Sequence, residues 1–244
     1  MQQQAEWFAD WFDSPYYHIL YKYRDDSEAE GFIDHLLQRL APADGAKMLD
    51  LACGKGRYSR HLANKGYEVV GLDLSAKSIR EAKKWEHQHL HFHVHDMREP
   101  LPETGFDYIF NFFTSFGYFD REAEDLQTLR NVQAGLKPGG TFVLDFFNAQ
   151  YVQQRLTGRE QKTIDGVNFD LQKRIENQQV VKTIHFIDGA KAYYFEERVK
   201  LFTLQDFERL FEQANLKLLK VYGDYQLRDY NESESPRLIV LAKA

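Results

Sequence analysis

The segment Met48-Leu49-Asp50-Leu51-Ala52-Cys53-Gly54-Lys55-Gly56-Arg57-Tyr58 is an apolar run entering a glycine turn that opens onto helical sequence. Such a turn lets a ligand approach the backbone closely and meet amide donors at a helix N-terminus. Taken alone, Gly54-x-Gly56 also suits any tight strand-to-helix connection. Asp73 narrows the choice: it ends the next apolar run, about twenty positions on, where an acidic side chain accepts hydrogen bonds from both hydroxyls of a ribose. The two features together fit a dinucleotide or another adenosine-containing cofactor. A pyrophosphate fingerprint wants a third glycine where this chain has Ser59, and Asp50 sets a carboxylate just before the turn, ill-suited to a pyrophosphate but well suited to an ammonium or sulfonium group. The reactive part of the cofactor is therefore expected to be cationic.

Other residues offer chemistry with an alternative beside it. In Ser14-Pro15-Tyr16-Tyr17-His18-Ile19-Leu20-Tyr21-Lys22-Tyr23-Arg24, helical spacing puts Tyr17, Tyr21 and Arg24 on one face, with Tyr16 or Tyr23 taking their places if the helix is rotated. That face could close over a cofactor, the guanidinium meeting a carboxylate and the rings a sulfonium, or could simply pack an aromatic helix on the sheet. His87, His89, His91, His93 and His95 alternate and would share one side of a strand. Paired imidazoles at that spacing can hold a metal, whereas an edge strand carries polar side chains for other reasons; we expect no metal site. Cys53, the single thiol, reads as a small buried filler beside the turn.

The elements that must position these residues follow a regular rhythm from Lys47 on. Strands are expected at Lys47 to Leu51, Glu68 to Leu72, His89 to Val94, Phe106 to Phe112 and Thr141 to Phe147. Helices are expected between them, at Arg57 to Lys65, Ser75 to Trp85 and Glu122 to Leu136, the pattern of βαβ units in a parallel sheet. After Asn148 period-two alternation takes over, near Val167 to Leu171, Val180 to Ile187 and Ala192 to Lys200, with Asp188-Gly189 as a type I′ hairpin turn. A helix from Leu204 to Asn215 and two strands, Lys217 to Tyr222 and Arg237 to Ala242, close the chain. The loop between those strands is too short for a crossover helix, so they pair antiparallel.

With these motifs on the page, the chain is similar to class I S-adenosylmethionine-dependent methyltransferases, over Lys47 to Asn148 and Leu201 to Ala244. The resemblance rests on Leu49-Asp50-Leu51-Ala52-Cys53-Gly54-Lys55-Gly56, on Val69-Val70-Gly71-Leu72-Asp73-Leu74-Ser75, on His95-Asp96-Met97-Arg98 and on Leu136-Lys137-Pro138-Gly139-Gly140-Thr141-Phe142. It implies an α/β fold: a Rossmann-like seven-stranded sheet with a reversed last strand and helices on both faces, plus a small antiparallel β insertion and an N-terminal helical lid. Residues 1–46 would be the lid, 47–148 and 201–244 the cofactor-binding core, and 149–200 the insertion, serving as a substrate cover or a homodimer contact.

The resemblance also implies roles. Asp73, with Leu74 beside it, would hold the ribose, and Asp96 would accept from the adenine amino group with Met97 against the ring, unless Asp96 is only a cap or turn residue. Ala52, Cys53, Gly54 and Gly56 would line the methionine portion through their backbone, with Asp50 behind them and Asn111 and Phe112 at the end of the fourth strand. Tyr17, Tyr21 and Arg24 would join from the lid, a segment similar to that of methyltransferases acting on amines or sugars. In-line methyl transfer needs chiefly alignment in a dry pocket, so no catalytic residue is assigned; His18, Tyr118 and Asp145 are candidate proton partners.

Composition limits the acceptor. The 37 acidic residues exceed the 31 basic ones, for a net charge of −6, which disfavours phosphate backbones and anionic lipid. Enzymes that methylate nucleobase amines carry Asn or Asp followed by Pro-Pro and an aromatic residue; here Asn111 is followed by Phe112-Phe113-Thr114. A small-molecule acceptor, methylated on nitrogen or oxygen, is expected, with no nucleic-acid partner. Glu196, Glu197 and Arg198 could face its pocket or form a solvated strand face. No apolar run approaches the roughly 18 residues of a membrane span, the N-terminus lacks a basic signal-peptide region, and one thiol builds no disulfide framework, so a cytoplasmic location is expected. A nicotinamide-dependent oxidoreductase would share the glycine turn and Asp73 but leaves Asp50, Asp96 and the reversed final hairpin unexplained. A non-catalytic S-adenosylmethionine-binding protein is the other alternative.

Overall fold

The computed structural model describes residues 6–22 and 26–244. Two short helices, α1 (Trp7–Phe12) and α2 (Pro15–Leu20), precede α3 (Asp26–Leu40). The alternating region follows as β1 (Lys47–Leu51), α4 (Arg57–Asn64), β2 (Glu68–Asp73), α5 (Ala76–Ala82), β3 (Leu90–Val94), β4 (Phe106–Asn111), α6 (Glu122–Gly135) and β5 (Leu136–Phe147). Then come α7 (Ala149–Arg155), β6 (Arg159–Ile164), β7 (Val167–Glu176), β8 (Gln179–Asp188) and β9 (Lys191–Lys200), and the chain ends with α8 (Leu204–Gln213), β10 (Lys217–Tyr222) and β11 (Arg237–Lys243). These elements form two compact units, residues 1–24 with 152–201 and residues 25–151 with 202–244.

The larger unit is a seven-stranded sheet in the order β10-β11-β5-β4-β1-β2-β3. Pairing is parallel from β5 to β3, and β11 runs antiparallel to both β5 and β10, as the short final loop requires. One face is covered by α3, α4 and α5, whose Phe32, Ile33, Leu36, Leu62 and Ile79 pack with Met48, Phe110 and Val143. The other carries α6 and α8, with Phe207 and Phe211 against Phe146 and Phe142. Strand order turns back between β1 and β4, the switch point at which open α/β sheets bind ligands beyond the strands' carboxyl ends.

The smaller unit is a four-stranded antiparallel sheet, β6-β7-β8-β9. Its apolar side buries Phe169, Leu171, Ile184 and Phe186 with Trp11 and Leu20 from the two N-terminal helices. Trp11 packs on Phe195 with ring centroids 4.6 Å apart and donates its indole N–H to Glu197 at 2.7 Å.

Four expectations are corrected. The segment expected as a lid is not one piece to residue 46: α3 belongs to the sheet unit, because Phe32, Ile33 and Leu36 are needed in its core. The insertion has a fourth strand, β6, hidden by the polar run Arg159-Glu160-Gln161-Lys162-Thr163. Its last hairpin turns at Gly189-Ala190, since Asp188 pairs with Lys191, and only Gly189 has a positive φ (60°), the pattern of a II′ turn rather than I′. The helix expected to run to Trp85 is α-helical only to Ala82 and ends in a 3₁₀ turn. The histidine stripe lies on and beside β3, an edge strand, where His87, His89, His91 and His93 are exposed. Among the described residues no three metal-ligating side chains converge there.

Phe92 explains two glycines at once. A Cβ at Gly71 on β2 would stand 2.5 Å from its ring and 2.9 Å from Cys53 Sγ, and a Cβ at Gly56 would overlap the same ring. Gly71 is not in the left-handed region, so Gly71→Ala tests sterics alone. The expected outcome is a loss of about 1–3 kcal/mol in denaturant unfolding, partly recovered when Phe92→Leu is added.

Candidate active site

Beyond β1 the backbone takes left-handed φ at alternate residues, Ala52 (65°), Gly54 (57°) and Gly56 (77°), and then enters α4. Ala52 holds that conformation against a cost of roughly 1–2 kcal/mol for a residue with a Cβ. The turn is held on both sides: Cys53 N donates to Leu72 O at 2.9 Å, and Gly54 N donates to Asp73 Oδ2 at 2.8 Å. Ser75 N donates to the other oxygen of Asp73 at 2.8 Å, which fixes the carboxylate between the glycine turn and the start of α5. Ala52, Gly54, Asp73 and Leu74 are all half-buried, so this rim is within a ligand's reach, whereas Cys53 and Gly56 are buried.

Asp50 lies deeper, 1% exposed, and accepts from the Ser59 hydroxyl at 2.6 Å. Burial pushes its carboxyl up to about 7. Ser59 thus takes the place of the missing third glycine with a hydrogen bond to the acid behind the turn. Burial, with Asp50 and Asp73 nearby, also pushes the Cys53 thiol well up, as suits an inert filler.

Asn111 ends β4 beside this turn. Its Nδ2 donates to Leu51 O at 3.0 Å and to Ser115 O at 3.1 Å, tying the exits of β1 and β4 together. Its Oδ1 is buried and has no partner among the described residues. An unmet buried acceptor is costly, and its place at the switch point is that of a group reserved for a ligand donor or a water. Phe112 is buried between Phe110 and Tyr58, at ring distances of 5.1 and 4.6 Å.

Asp96 follows β3. Arg98 N closes a turn onto its Oδ1 at 2.9 Å, and the Arg98 guanidinium reaches Oδ2 at 2.6 Å and Glu124 at 3.1 Å. Burial pushes this carboxyl up, but the Arg98 hydrogen bonds and charge outweigh it and hold it below its usual range. Asp96 thus closes a turn beyond the end of β3. Met97 is half-buried, its carbonyl taken by Asn131 Nδ2 at 3.0 Å.

A family described as a methyltransferase domain matches residues 26–221. The chain belongs to this family. It is a methyltransferase, and its cofactor is S-adenosylmethionine. Among its relatives, the cypemycin N-terminal methyltransferase of a Streptomyces species is 27% identical, covering 83% of this chain and 85% of its own. A dTDP-3-amino-3,6-dideoxy-alpha-D-glucopyranose N,N-dimethyltransferase of Streptomyces fradiae is also 27% identical, covering 75% of this chain and 74% of its own. A solved S-adenosylmethionine-dependent methyltransferase of Clostridium acetobutylicum superposes with a TM-score of 0.78 at 22% identity, covering 93% of this chain and 95% of that one, a likeness of fold.

The residues of this methyltransferase fit the cofactor: a reachable turn, a carboxylate fixed at the end of β2 and an unmet buried acceptor on Asn111. The lid candidates sit in the smaller unit. Tyr17 packs against Trp11, Phe12 and Tyr21, and the Tyr21 hydroxyl donates to Glu197 Oε1 at 2.6 Å. The helix α2 stops at Leu20, and Arg24 lies outside the described residues. Glu196, read with Glu197 and Arg198 as a charge cluster, pairs with Arg198 along β9 and with Arg174 of β7. His18 is also in the smaller unit, packed on Tyr17, and Tyr118 donates its hydroxyl to Thr114 O at 2.5 Å.

Asp145 is fully buried and already holds four donors. Arg237 Nε and Nη2 reach Oδ1 at 2.8 and 2.6 Å, while Phe113 N and the Tyr225 hydroxyl reach Oδ2 at 2.8 and 3.2 Å. A carboxylate so engaged positions its neighbours rather than shuttling a proton. Sequence gave no signal for Arg237 or Tyr225, which stand 92 and 80 residues away from Asp145 along the chain.

The Asp50 carboxyl makes a signed prediction. Its pKa rises from 3.8 to about 7 on folding, so the native state binds the extra proton between those values and stability falls as pH rises across that window. Asp50→Asn removes this penalty. Its stability relative to the parent should climb from pH 4 to pH 7 by up to about 1.4 kcal/mol per pH unit, read as the difference in unfolding free energy. A difference that stays flat with pH would show that Asp50 titrates normally.

Proposed function

We propose that this chain transfers a methyl group from S-adenosylmethionine to a nitrogen or oxygen of a small-molecule acceptor by in-line displacement. The observation that carries the reading is the juxtaposition at the switch point: Gly54 N on Asp73 Oδ2 at 2.8 Å, with the unmet Asn111 Oδ1 at the end of the neighbouring strand β4. The bound cofactor supplies an electrophilic methyl on a sulfonium. Asp73 accepts from the ribose hydroxyls, Asp96 and Met97 meet the adenine, and the backbone of Ala52, Cys53, Gly54 and Gly56 lines the methionine portion. Asn111 Oδ1 accepts from its ammonium group, with Phe112 behind and Asp50 supporting the turn through Ser59. The assignment of Tyr17, Tyr21 and Arg24 to the cofactor rests on sequence spacing.

The small acceptor is supported by relatives whose names specify an amino sugar and the cypemycin N-terminus, by the net charge of −6 and by the missing Pro-Pro turn after Asn111. Among the described residues no helix is long and apolar enough to cross a membrane. The insertion over β6 to β9 serves as the acceptor's cover or as a homodimer contact, and the chain works in the cytoplasm.

Isothermal titration with S-adenosylmethionine and S-adenosylhomocysteine tests the cofactor assignments. Asp73→Ala should weaken binding by about 2–3 kcal/mol, roughly 30- to 150-fold in Kd, as expected for lost charge-assisted hydrogen bonds. Unchanged affinity would remove Asp73 from the ribose. A turnover screen over amines, amino sugars and hydroxylated metabolites, read as S-adenosylhomocysteine release, should find an acceptor in at least one class. Tight cofactor binding with no turnover in any class would sink the small-acceptor reading.

A further inference from the structure

Directly after β4, Phe113 and Thr114 both take φ of 61°, two consecutive non-glycine residues in the left-handed region. Such backbone is strained for residues with a Cβ and persists only where its surroundings over-determine it. Asp145 and Arg237 do so. Phe113 N donates to Asp145 Oδ2 at 2.8 Å, Thr114 N donates to Asp145 O at 2.8 Å, and Arg237 Nη2 reaches Thr114 Oγ1 at 3.1 Å. Arg237 opens β11 opposite Phe147, the last residue of β5, so this corner lies at the carboxyl edge of the sheet, on the β4–β5 side of the switch point.

A guanidinium has five N–H donors in a fixed plane. On Arg237 the Nε and Nη2 donors are spent on Asp145 and Thr114, and the two hydrogens of Nη1 meet no acceptor among the described residues. Nη1 is not sealed from solvent, and the side chain is 17% exposed while Asp145 beneath it is at 0%. Phe113 and Tyr225 stand near the guanidinium, their ring centroids 6.0 and 5.4 Å away. A partner is therefore expected to arrive in the plane, along the Nη1 edge.

We propose that Arg237 recognises the methyl acceptor, donating from its Nη1 edge to an anionic oxygen group, a carboxylate or a phosphate, on that molecule. The proposal rests on the methyl-transfer reading and narrows it to amines or alcohols that carry such a group. Asp145 locks the guanidinium in place, so little side-chain entropy is lost when the anion docks, and charge-assisted N–H···O bonds are the stronger kind.

The test uses the full chain saturated with S-adenosylhomocysteine. The Arg237 Nε–Hε resonance is followed by NMR and identified by its loss in Arg237→Lys. Titration with inorganic phosphate and, separately, with acetate should shift that resonance saturably, with Kd on the order of 1–10 mM for at least one anion, while chloride at matched ionic strength leaves it unmoved. The stronger anion tells a phosphate-bearing acceptor from a carboxylate-bearing one. Thermal-shift titration of Arg237→Lys and of the double variant Arg237→Gln with Asp145→Asn, which strands no buried charge, should show the anion response weakened about tenfold or more, with S-adenosylhomocysteine affinity held within about threefold. A resonance that ignores both anions, or that chloride moves equally, while S-adenosylhomocysteine still binds, overturns the role of Arg237 and leaves the methyltransferase reading standing. Failure to bind S-adenosylhomocysteine would instead bring down the cofactor assignment, and this proposal with it.

Discussion

The close approach of backbone to the ring of Phe92 is the constraint on which the cofactor end of the sheet depends. Phe92 fills the space that side chains at Gly56 and Gly71 would occupy, so the backbone of β2 and the start of α4 close directly onto its ring. Close packing of this kind is sensitive to a single added carbon. It sets α4 low against the sheet, which brings the glycine turn down to β2 and lets Gly54 N meet Asp73. The amide donors and the acidic side chain are thereby fixed relative to each other before any ligand arrives, the preorganisation that makes a binding site inexpensive to fill.

Two buried carboxylates near the carboxyl edge are handled in opposite ways. Asp50 has one hydroxyl, from Ser59, and burial raises its pKa to about 7, so near neutrality it sits close to the balance between its two forms. Asp145 has four donors, including both arms of an Arg237 contact. Removing one partner of such a pair would strand a charge in the interior, which is why it can hold the strained Phe113–Thr114 corner in place. The first carboxylate supports the turn on the β1 side of the switch point, and the second anchors the corner on the β4–β5 side.

In the smaller unit a single carboxylate plays the organising part. Glu197 takes the Trp11 indole N–H and the Tyr21 hydroxyl, and lies 3.4 Å from Lys182. The two N-terminal helices, too short to be stable alone, are thus tied to a sheet formed some 180 residues later. Tyr16, which a rotated helix would present, packs here on Phe186 and Tyr193, and Tyr17 packs on Tyr21.

Much of the fold was legible because its signals are local. Apolar runs alternating with helical stretches, a glycine turn before a helix and an acid at the end of the next strand specify a parallel α/β sheet, and a short final loop forces the reversed strand. The relation of Asp73 to the turn was legible for the same reason, since strand, turn and helix fix it within about twenty residues. Local signals failed where the partner was distant or the pattern weak. Polar β6 hid in its own composition, α3 declared itself part of the core only through Phe32, Ile33 and Leu36, and Ser59 read as a missing glycine until its hydroxyl met Asp50. Tertiary structure alone decided that Asp145 is an anchor and that Arg237 and Tyr225 are its partners. Such contacts join β5, β11 and the last loop across 80 to 92 residues, and they exist only once the sheet has closed.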